Sequence, residues 1–523
     1  MNELHQLEQE RQTVQAALDS QKTQAERNRL GQFATPFELA CHITEYAITL
    51  LPQSAPLRFL DPAVGAGAFF SALRHSASPD RIEAAEGYEL DPHYGIPAQG
   101  LWSAAGLRVH LADFTRTAAP ETDAGRFNLI ICNPPYVRHH HLAADEKARL
   151  HHLAAQRAGL SLSGLSGLYC YFLALAHGWM RSDGIAAWLI PSEFMGVNYG
   201  KAIQHHLLDR VTLLRIHRFD PAEVQFEDAL VSSAVLWLRN TAPPPEHQVE
   251  FTFGGSVAAP RIARKIPTSL LSQEPKWTRF PLAEGRKANK GVTLGDLFTI
   301  RRGIATGGNQ FFILSKDRIA SLGLPMECFR PILPGPRFLA ADEVITDHDG
   351  NPAIERSLFL LDCRLPEDEI QTRYPSLWRY LQSGKPDVAG RYLCRHRTPW
   401  YAQEDRPPTP FVCTYIGRGD ARNGRPFRFI LNHSQATAAN VYLLLYPKAA
   451  LAQALARDAS LSRKLWQALN QIGAHELLAE GRVYGGGLHK LEPSELAQAP
   501  ADRILAVLPS QPEPPVQQLS LFE

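Results

Sequence analysis

The chain has 523 residues, 45% of them hydrophobic, enough to bury real cores in two or three domains. Its 54 basic and 53 acidic side chains leave a formal charge of +1, so any nucleic-acid surface must be a local patch. Seven scattered cysteines with no CxxC pair point away from a disulfide framework or a zinc site and toward a reducing compartment.

The N-terminus, MNELHQLEQERQTVQAALDSQK, is charged and has no apolar h-region, so it does not read as a signal peptide. No run is long and apolar enough to span a membrane, and a soluble, cytoplasmic protein is expected. Residues 3–29 read as a polar helix with Leu4, Leu7, Val14 and Leu18 on one stripe, a helical extension (1–30) packed on the first domain. From 57 to 240, β-rich runs at 57–61, 84–90, 107–113, 127–132, 184–190, 211–219 and 231–238 alternate with helical patterns, including the apolar stretch 168–180. Such alternation predicts an α/β fold with a doubly wound, largely parallel sheet. The Pro-rich TAPPPEH (241–247) reads as a linker, and the irregular pattern beyond it as a separate α+β domain over 246–500. Residues 501–523 read as a disordered Pro/Gln-rich tail with a hydrophobic end.

The strand ends carry the chemistry. The first strand runs into Asp61-Pro62-Ala63-Val64-Gly65-Ala66-Gly67, where glycines 65 and 67 let the backbone turn tightly and approach a ligand. A dinucleotide loop for NAD is the rival reading of this GxG alone. Glu89 closes the second strand, 24 residues after Gly65, where a carboxylate commonly pairs with ribose hydroxyls. Asp113 follows the third strand, placed to accept an adenine amino hydrogen while Phe114 covers the ring; each acid read singly is an ordinary helix N-cap. The fourth strand ends at Asn133-Pro134-Pro135-Tyr136. The Asn133 amide oxygen and the Pro134 carbonyl can each accept one hydrogen of a planar exocyclic amine, two prolines fix the carbonyl's direction, and Tyr136 stacks on the ring.

In that order these residues resemble the S-adenosylmethionine-dependent adenine-N6 DNA methyltransferases of restriction-modification systems, in their gamma arrangement. The resemblance implies a Rossmann-like methyltransferase domain over 31–240 followed by a target-recognition DNA-binding domain. Upstream, Gln32-Phe33-Ala34-Thr35-Pro36 looks like the family's N-terminal motif, in which Thr35 and Pro36 close over the methionine end of the cofactor. The cofactor-contacting segment maps onto Asp61 to Gly65 and Gly67, with Asp61 where many relatives carry Glu. Glu89 matches the ribose-binding acid, Asp113-Phe114 the adenine-binding pair, and Asn133 to Tyr136 the catalytic tetrad, with Pro135 also beside the cofactor. The second aromatic of the base sandwich falls on Phe226, with Phe219 its near neighbour. RRGIATGGNQFFIL (301–314) and GRVYGGGLHKLEP (481–493) look like target-recognition segments. The implied function is site-specific methylation of a flipped adenine in duplex DNA, alongside a cognate restriction endonuclease and associated with the nucleoid, with no metal required.

Residues 391–428 hold eight arginines (391, 395, 397, 406, 418, 422, 425, 428) against three acids, with Tyr392, Trp400, Tyr401, Phe411, Tyr415, Phe427 and Phe429 interleaved; this suits phosphate and base-edge contacts. His139-His140-His141 lacks acid or cysteine partners at ligand spacing and reads as a cationic loop near phosphate. Gln518, Leu519, Leu521 and Phe522 look like the motif by which bacterial replication and repair proteins bind the sliding clamp. The alternative function is N-methylation of RNA or of a protein glutamine, since a side-chain amide is also a planar nitrogen.

Overall fold

The computed structural model describes residues 3–220, 232–281, 291–418, 426–474, 476–477, 481–484 and 488–508. The chain divides into two compact units, the first of residues 1–288 with 484–486, the second of residues 289–483 with 487–523.

The first unit is built on a nine-stranded sheet of order β3-β2-β1-β4-β5-β7-β6-β8-β9. The strands are β1 (Leu57–Asp61), β2 (Ile82–Glu89), β3 (Leu107–Leu111), β4 (Phe127–Cys132), β5 (Met180–Pro191), β6 (Thr212–Arg218), β7 (Ser233–Arg239), β8 (Gln248–Gly255) and β9 (Pro260–Pro267). Strands β1 to β5 pair in parallel, and β7 is inserted antiparallel between β5 and β6. Alternate residues of β4 serve opposite faces. Leu129 and Ile131 pack with the helices 37–49, 68–76 and 92–102, while Ile130 and Cys132 pack with the helices 144–158, 168–176 and 201–209. Burial on both faces explains why these strands read as unbroken apolar runs.

Two boundaries differ from the sequence reading. The expected helix over 3–29 is two helices, α1 (Glu3–Ser20) and α2 (Gln24–Leu30). Thr23 caps the second, its hydroxyl accepting from the Glu26 amide while the Glu26 carboxylate accepts from Thr23 in return, a T-x-x-E box that restarts the helix. On α1 the fully buried pair is Glu8 with Arg11, the Arg11 Nε donating to Glu8 at 2.8 Å and Ser71 Oγ donating at 2.6 Å. The helix thus docks through a satisfied ion pair set in the leucine stripe. The domain edge expected at 241–247 also lies further on. That stretch connects β7 to β8, which pairs in parallel with β6 and carries β9 beyond it. Without β8, β6 would present an unpaired edge. Val249, Phe251, Trp277 and Phe280 join the first unit's core.

The second unit has a five-stranded sheet, ordered 298–302, 442–447, 411–414, 429–432 and 343–344, and a four-stranded sheet, ordered 313–315, 358–361, 329–333 and 437–438. Pairing is mostly antiparallel, and helices such as Pro375–Gly384 and Leu461–Asn470 bury one face each, an α+β arrangement. No helix among the described residues is long and apolar enough to cross a membrane.

Buried histidines give the first unit a pH dependence. His206 and His217 are almost wholly buried, and burial first, with nearby cations second, pushes both pKa values down to about 3. Between an ordinary value near 6.5 and the folded value, the unfolded chain binds protons that the folded chain refuses. Stability is therefore full above about pH 6.5 and falls as pH drops, by roughly 1.4 kcal/mol per group per pH unit at most. A His206→Phe, His217→Leu variant should lose less melting temperature between pH 7 and pH 5 than wild type in a calorimetric series.

Candidate active site

Strands β1 and β4 lie side by side, and the chain leaves β1 toward β2 and β3 on one side and continues through β4 and β5 on the other. The crevice at the carboxyl ends of such a switch point is where open α/β sheets bind ligands. Four chemistry-bearing positions lie at or within two residues past the ends of the first four strands: Asp61, Glu89, Asp113 and Asn133.

The loop after β1 is anchored rather than merely permissive. Asp61 is 1% exposed, its Oδ1 accepting from the Ala63 amide at 3.1 Å, and burial pushes its pKa up to about 7. The Val64 amide donates to the Tyr88 carbonyl at 2.9 Å, and the Gly65 amide to Glu89 Oε2 at 3.1 Å. Gly65 has φ +53°, a conformation that favours glycine, and a Cβ there would meet nothing within 4 Å, so the turn leaves open space. Gly67 has φ +86°, and a Cβ would fall 2.4 Å from Trp102 Nε1, which donates to the Ala66 carbonyl at 2.9 Å. Pro62 and the buried Val64 complete the turn into the helix Ala68–Ser76.

Glu89 accepts from the Asp91 amide at 2.8 Å through its other oxygen, and burial holds its pKa above the ordinary carboxylate value. Beside it Leu90 is largely exposed. An acid next to an uncovered apolar side chain at an open strand end suits a nucleoside, with the sugar on the acid and the base on the leucine.

Asp113 is more committed. One oxygen accepts from the Thr115 amide at 2.9 Å and the Thr115 hydroxyl at 2.7 Å, and the other pairs with Arg116 at 3.2 Å and Arg149 at 3.7 Å. It is the N-cap of the short turn Phe114–Arg116. Phe114 is buried among Tyr88, Phe172 and Trp179, with ring centroids 5.2–5.7 Å away.

The tetrad is oriented from the N-terminal segment. Asn133 Nδ2 donates to the Phe33 carbonyl at 3.0 Å and to Thr35 Oγ1 at 3.1 Å. A backbone carbonyl only accepts, so the amide nitrogen must face Phe33 and the amide oxygen must face away. That oxygen is buried and has no hydrogen-bond partner among the described residues. The Tyr136 amide donates to the Gly31 carbonyl at 3.1 Å, and its hydroxyl to the Leu189 carbonyl at 3.1 Å, which fixes the ring. Gly31 has φ +68°, and a Cβ there would lie 2.3 Å from the Tyr136 nitrogen, so only glycine permits this approach. Pro36 then opens the helix Phe37–Thr49. Further contacts tie the segment to the start of the helix Pro92–Trp102, whose N-cap is Asp91: Gln32 Nε2 donates to Asp91 Oδ2 at 3.0 Å, and Lys22 bonds both Asp91 and, at 3.1 Å, Gln32 Oε1. Gly31, Lys22 and Asp91 escaped the sequence reading. Gly31 did leave a signal, as a glycine after the last residue of a helix, but its contact with Tyr136 leaves none.

Phe226 lies outside the described residues, as do Gln518, Leu519, Leu521 and Phe522. Phe219 is a core ring, 4.7 Å from His217.

The arginine-rich stretch is a surface only in part, which corrects its sequence reading. Tyr401, Phe411, Tyr415, Phe427 and Phe429 are buried core. Arg397 donates to the Thr306 and Ala305 carbonyls, Arg406 to that of Arg302, and Arg428 to those of Leu339 and Ala340 while pairing with Asp342. Arg422 and Arg425 are outside the described residues. Strands this short leave many carbonyls to be satisfied, and guanidinium groups with five donors satisfy them.

Comparison with known proteins supplies an independent finding. A family model described as the Eco57I restriction-modification methylase matches residues 102–225, and one for the C-terminal domain of the type II methyltransferase M.Eco57I matches residues 275–517. The chain is 28% identical over 481 residues to the type II methyltransferase M.XamI of Xanthomonas campestris pv. amaranthicola, covering 90% of this chain and 84% of the relative. It is 25% identical over 489 residues to M.AccI of Acinetobacter calcoaceticus, covering 90% and 85%. Among solved structures, its fold is similar to that of the type IIL restriction-modification enzyme MmeI in complex with DNA, with TM-score 0.55, 13% identity and coverage of 95% of this chain and 78% of the other.

Proposed function

We propose that the chain, similar over most of its length to restriction-modification methylases, transfers a methyl group from S-adenosylmethionine to the N6 of a specific adenine in duplex DNA. The observation that carries the reading is the Asn133 amide, pinned through its nitrogen with its buried oxygen left unpartnered. A buried acceptor without a partner costs about 1–3 kcal/mol, so it is kept for a donor that arrives. An exocyclic amino group is such a donor, and Pro134 supplies a second carbonyl beside it.

The residues at the strand ends fit the cofactor. Gly65 approaches open space, Glu89 offers a carboxylate for ribose hydroxyls, and Asp61 lies beneath the loop. S-adenosylmethionine bound there supplies a methyl group on a sulfonium, a good leaving arrangement. The chain's own contribution is positional. Adenine must be extruded to reach the pocket, at a cost of a few kcal/mol. Tyr136 is buried, its hydroxyl fixed to Leu189 and its ring 5.5 Å from that of Phe33, so the pocket must open for the extruded base to stack on it, and that stacking recovers roughly 1–3 kcal/mol. Hydrogen bonds from N6 to Asn133 and Pro134 draw the nitrogen out of conjugation and localise its lone pair. No group in the tetrad is a base, so the proton released after transfer leaves to solvent.

The test is chemical. Plasmid DNA incubated with the protein and S-adenosylmethionine, digested to nucleosides and analysed by mass spectrometry, should contain N6-methyladenine. N4-methylcytosine in its place, or label appearing only in RNA or in protein glutamine, would overturn the assignment. A DNA-cleaving partner and a clamp contact through the tail belong to the same proposal, and rest on sequence alone.

A further inference from the structure

Within the second unit, residues 385–400 carry Arg391, Arg395, Arg397 and His396 against one carboxylate, Asp387, while Lys385 is paired with Glu367 at 2.7 Å. The helical turn Tyr392–Arg395 has a rigid base and a bare tip. At the base, Cys394 is fully buried with its Sγ 3.7 Å from the Thr306 carbonyl, and Arg391 donates to the Gly307 carbonyl at 3.2 Å. Arg397 donates to Thr306 at 3.0 Å and to Gln403 Oε1 at 3.2 Å. Gly307 has φ +84°, and a Cβ there would sit 2.8 Å from Cys394 Sγ, so the turn is seated directly on the 305–308 backbone.

At the tip, Tyr392 is 68% exposed. The Arg395 guanidinium carbon lies 5.3 Å from its ring centroid, and the His396 ring lies 4.5 Å away with Nδ1 2.6 Å from the Tyr392 carbonyl. Arg395 has no carboxylate partner among the described residues. A buried aromatic would be ordinary core and a paired arginine ordinary surface. Here an aromatic is held in water on a fixed base, flanked by an uncommitted cation. That combination is complementary to a polyanion with flat groups: a guanidinium for a phosphate, a ring for the adjacent sugar and base edge.

We propose that Tyr392 and Arg395 form a DNA-contacting tip of the second unit, Arg395 on a backbone phosphate and Tyr392 on the neighbouring base. The inference rests on the proposed action on duplex DNA and adds the residues that grip it. Both side chains are exposed, so their removal should leave melting temperature and cofactor affinity unchanged. In full-length protein, Arg395→Ala should weaken binding to all duplexes alike, and lower the slope of log affinity against log salt by about 1. Tyr392→Ala should raise KM for the cognate duplex about tenfold with kcat within about twofold, whereas Tyr392→Phe keeps the wild-type value. Wild-type KM and salt slope in both alanine variants would overturn the tip, as would a loss confined to kcat and melting temperature. Failure of the underlying reading shows separately, as a wild-type protein that methylates no duplex DNA, and takes the inference with it.

Discussion

Asn133→Ala is expected to reduce methyl transfer at least about 100-fold while cofactor affinity and melting temperature stay near wild type. The lost acceptor matters most as the amine becomes tetrahedral, which places the deficit in kcat, and removing one oriented group of this kind typically costs 10²–10³. Asn133→Asp is a sharper version. A carboxylate cannot donate to the Phe33 carbonyl, so the contact that turns the amide becomes a repulsion between two acceptors. Single-turnover kinetics with duplex DNA, paired with calorimetric titration of S-adenosylmethionine, separates the two effects. Wild-type turnover in either variant would remove Asn133 from the chemistry.

The second large effect concerns the two acids that sequence alone treats as equivalent. Glu89→Ala should weaken S-adenosylmethionine binding about 10- to 100-fold, since it removes a charge-assisted hydrogen bond worth roughly 1.5–3 kcal/mol and frees the Gly65 amide it holds. Asp113→Ala should act mainly on stability. Its carboxylate caps Thr115 and pairs with Arg116 and Arg149, so its loss costs about 1–2 kcal/mol, as for a helix cap. Calorimetry and thermal melts on both variants decide the matter: equal losses of affinity with unchanged melting temperatures would return Asp113 to the cofactor site.

How much of this was legible depends on whether the signal is local. β1 and β4 fall where their apolar runs fall, because both faces are buried and the runs have no competing pattern. The order of strand ends follows from the alternation that predicts a doubly wound sheet, and brings Asp61, Glu89, Asp113 and Asn133 to one edge. What escaped depends on pairing across the chain. A proline-rich connection between β7 and β8 looks the same as a linker until β8 is seen to need β6. Counting arginines from 391 to 428 cannot separate Arg428, spent on carbonyls, from Arg395, which is not. The helix break at Thr23 was legible through its capping box, and the helix-forming polar residues on both sides of it obscured the signal.

The close approach of Gly31 to Tyr136 has a consequence for how such a protein can change over time. Two positions 105 apart share one steric allowance, so neither can vary freely while the other stays put. Drift at residue 31 toward any side chain would have to be preceded by a shift of the 133–136 backbone, and that shift would in turn unseat the amide at 133. Variation among descendants should therefore be absorbed elsewhere along the N-terminal segment, with 31, 33, 35, 133 and 136 inherited as a block. A combinatorial library that randomises the tetrad alone would undercount its solutions, and one that couples it to residues 31–35 would find more.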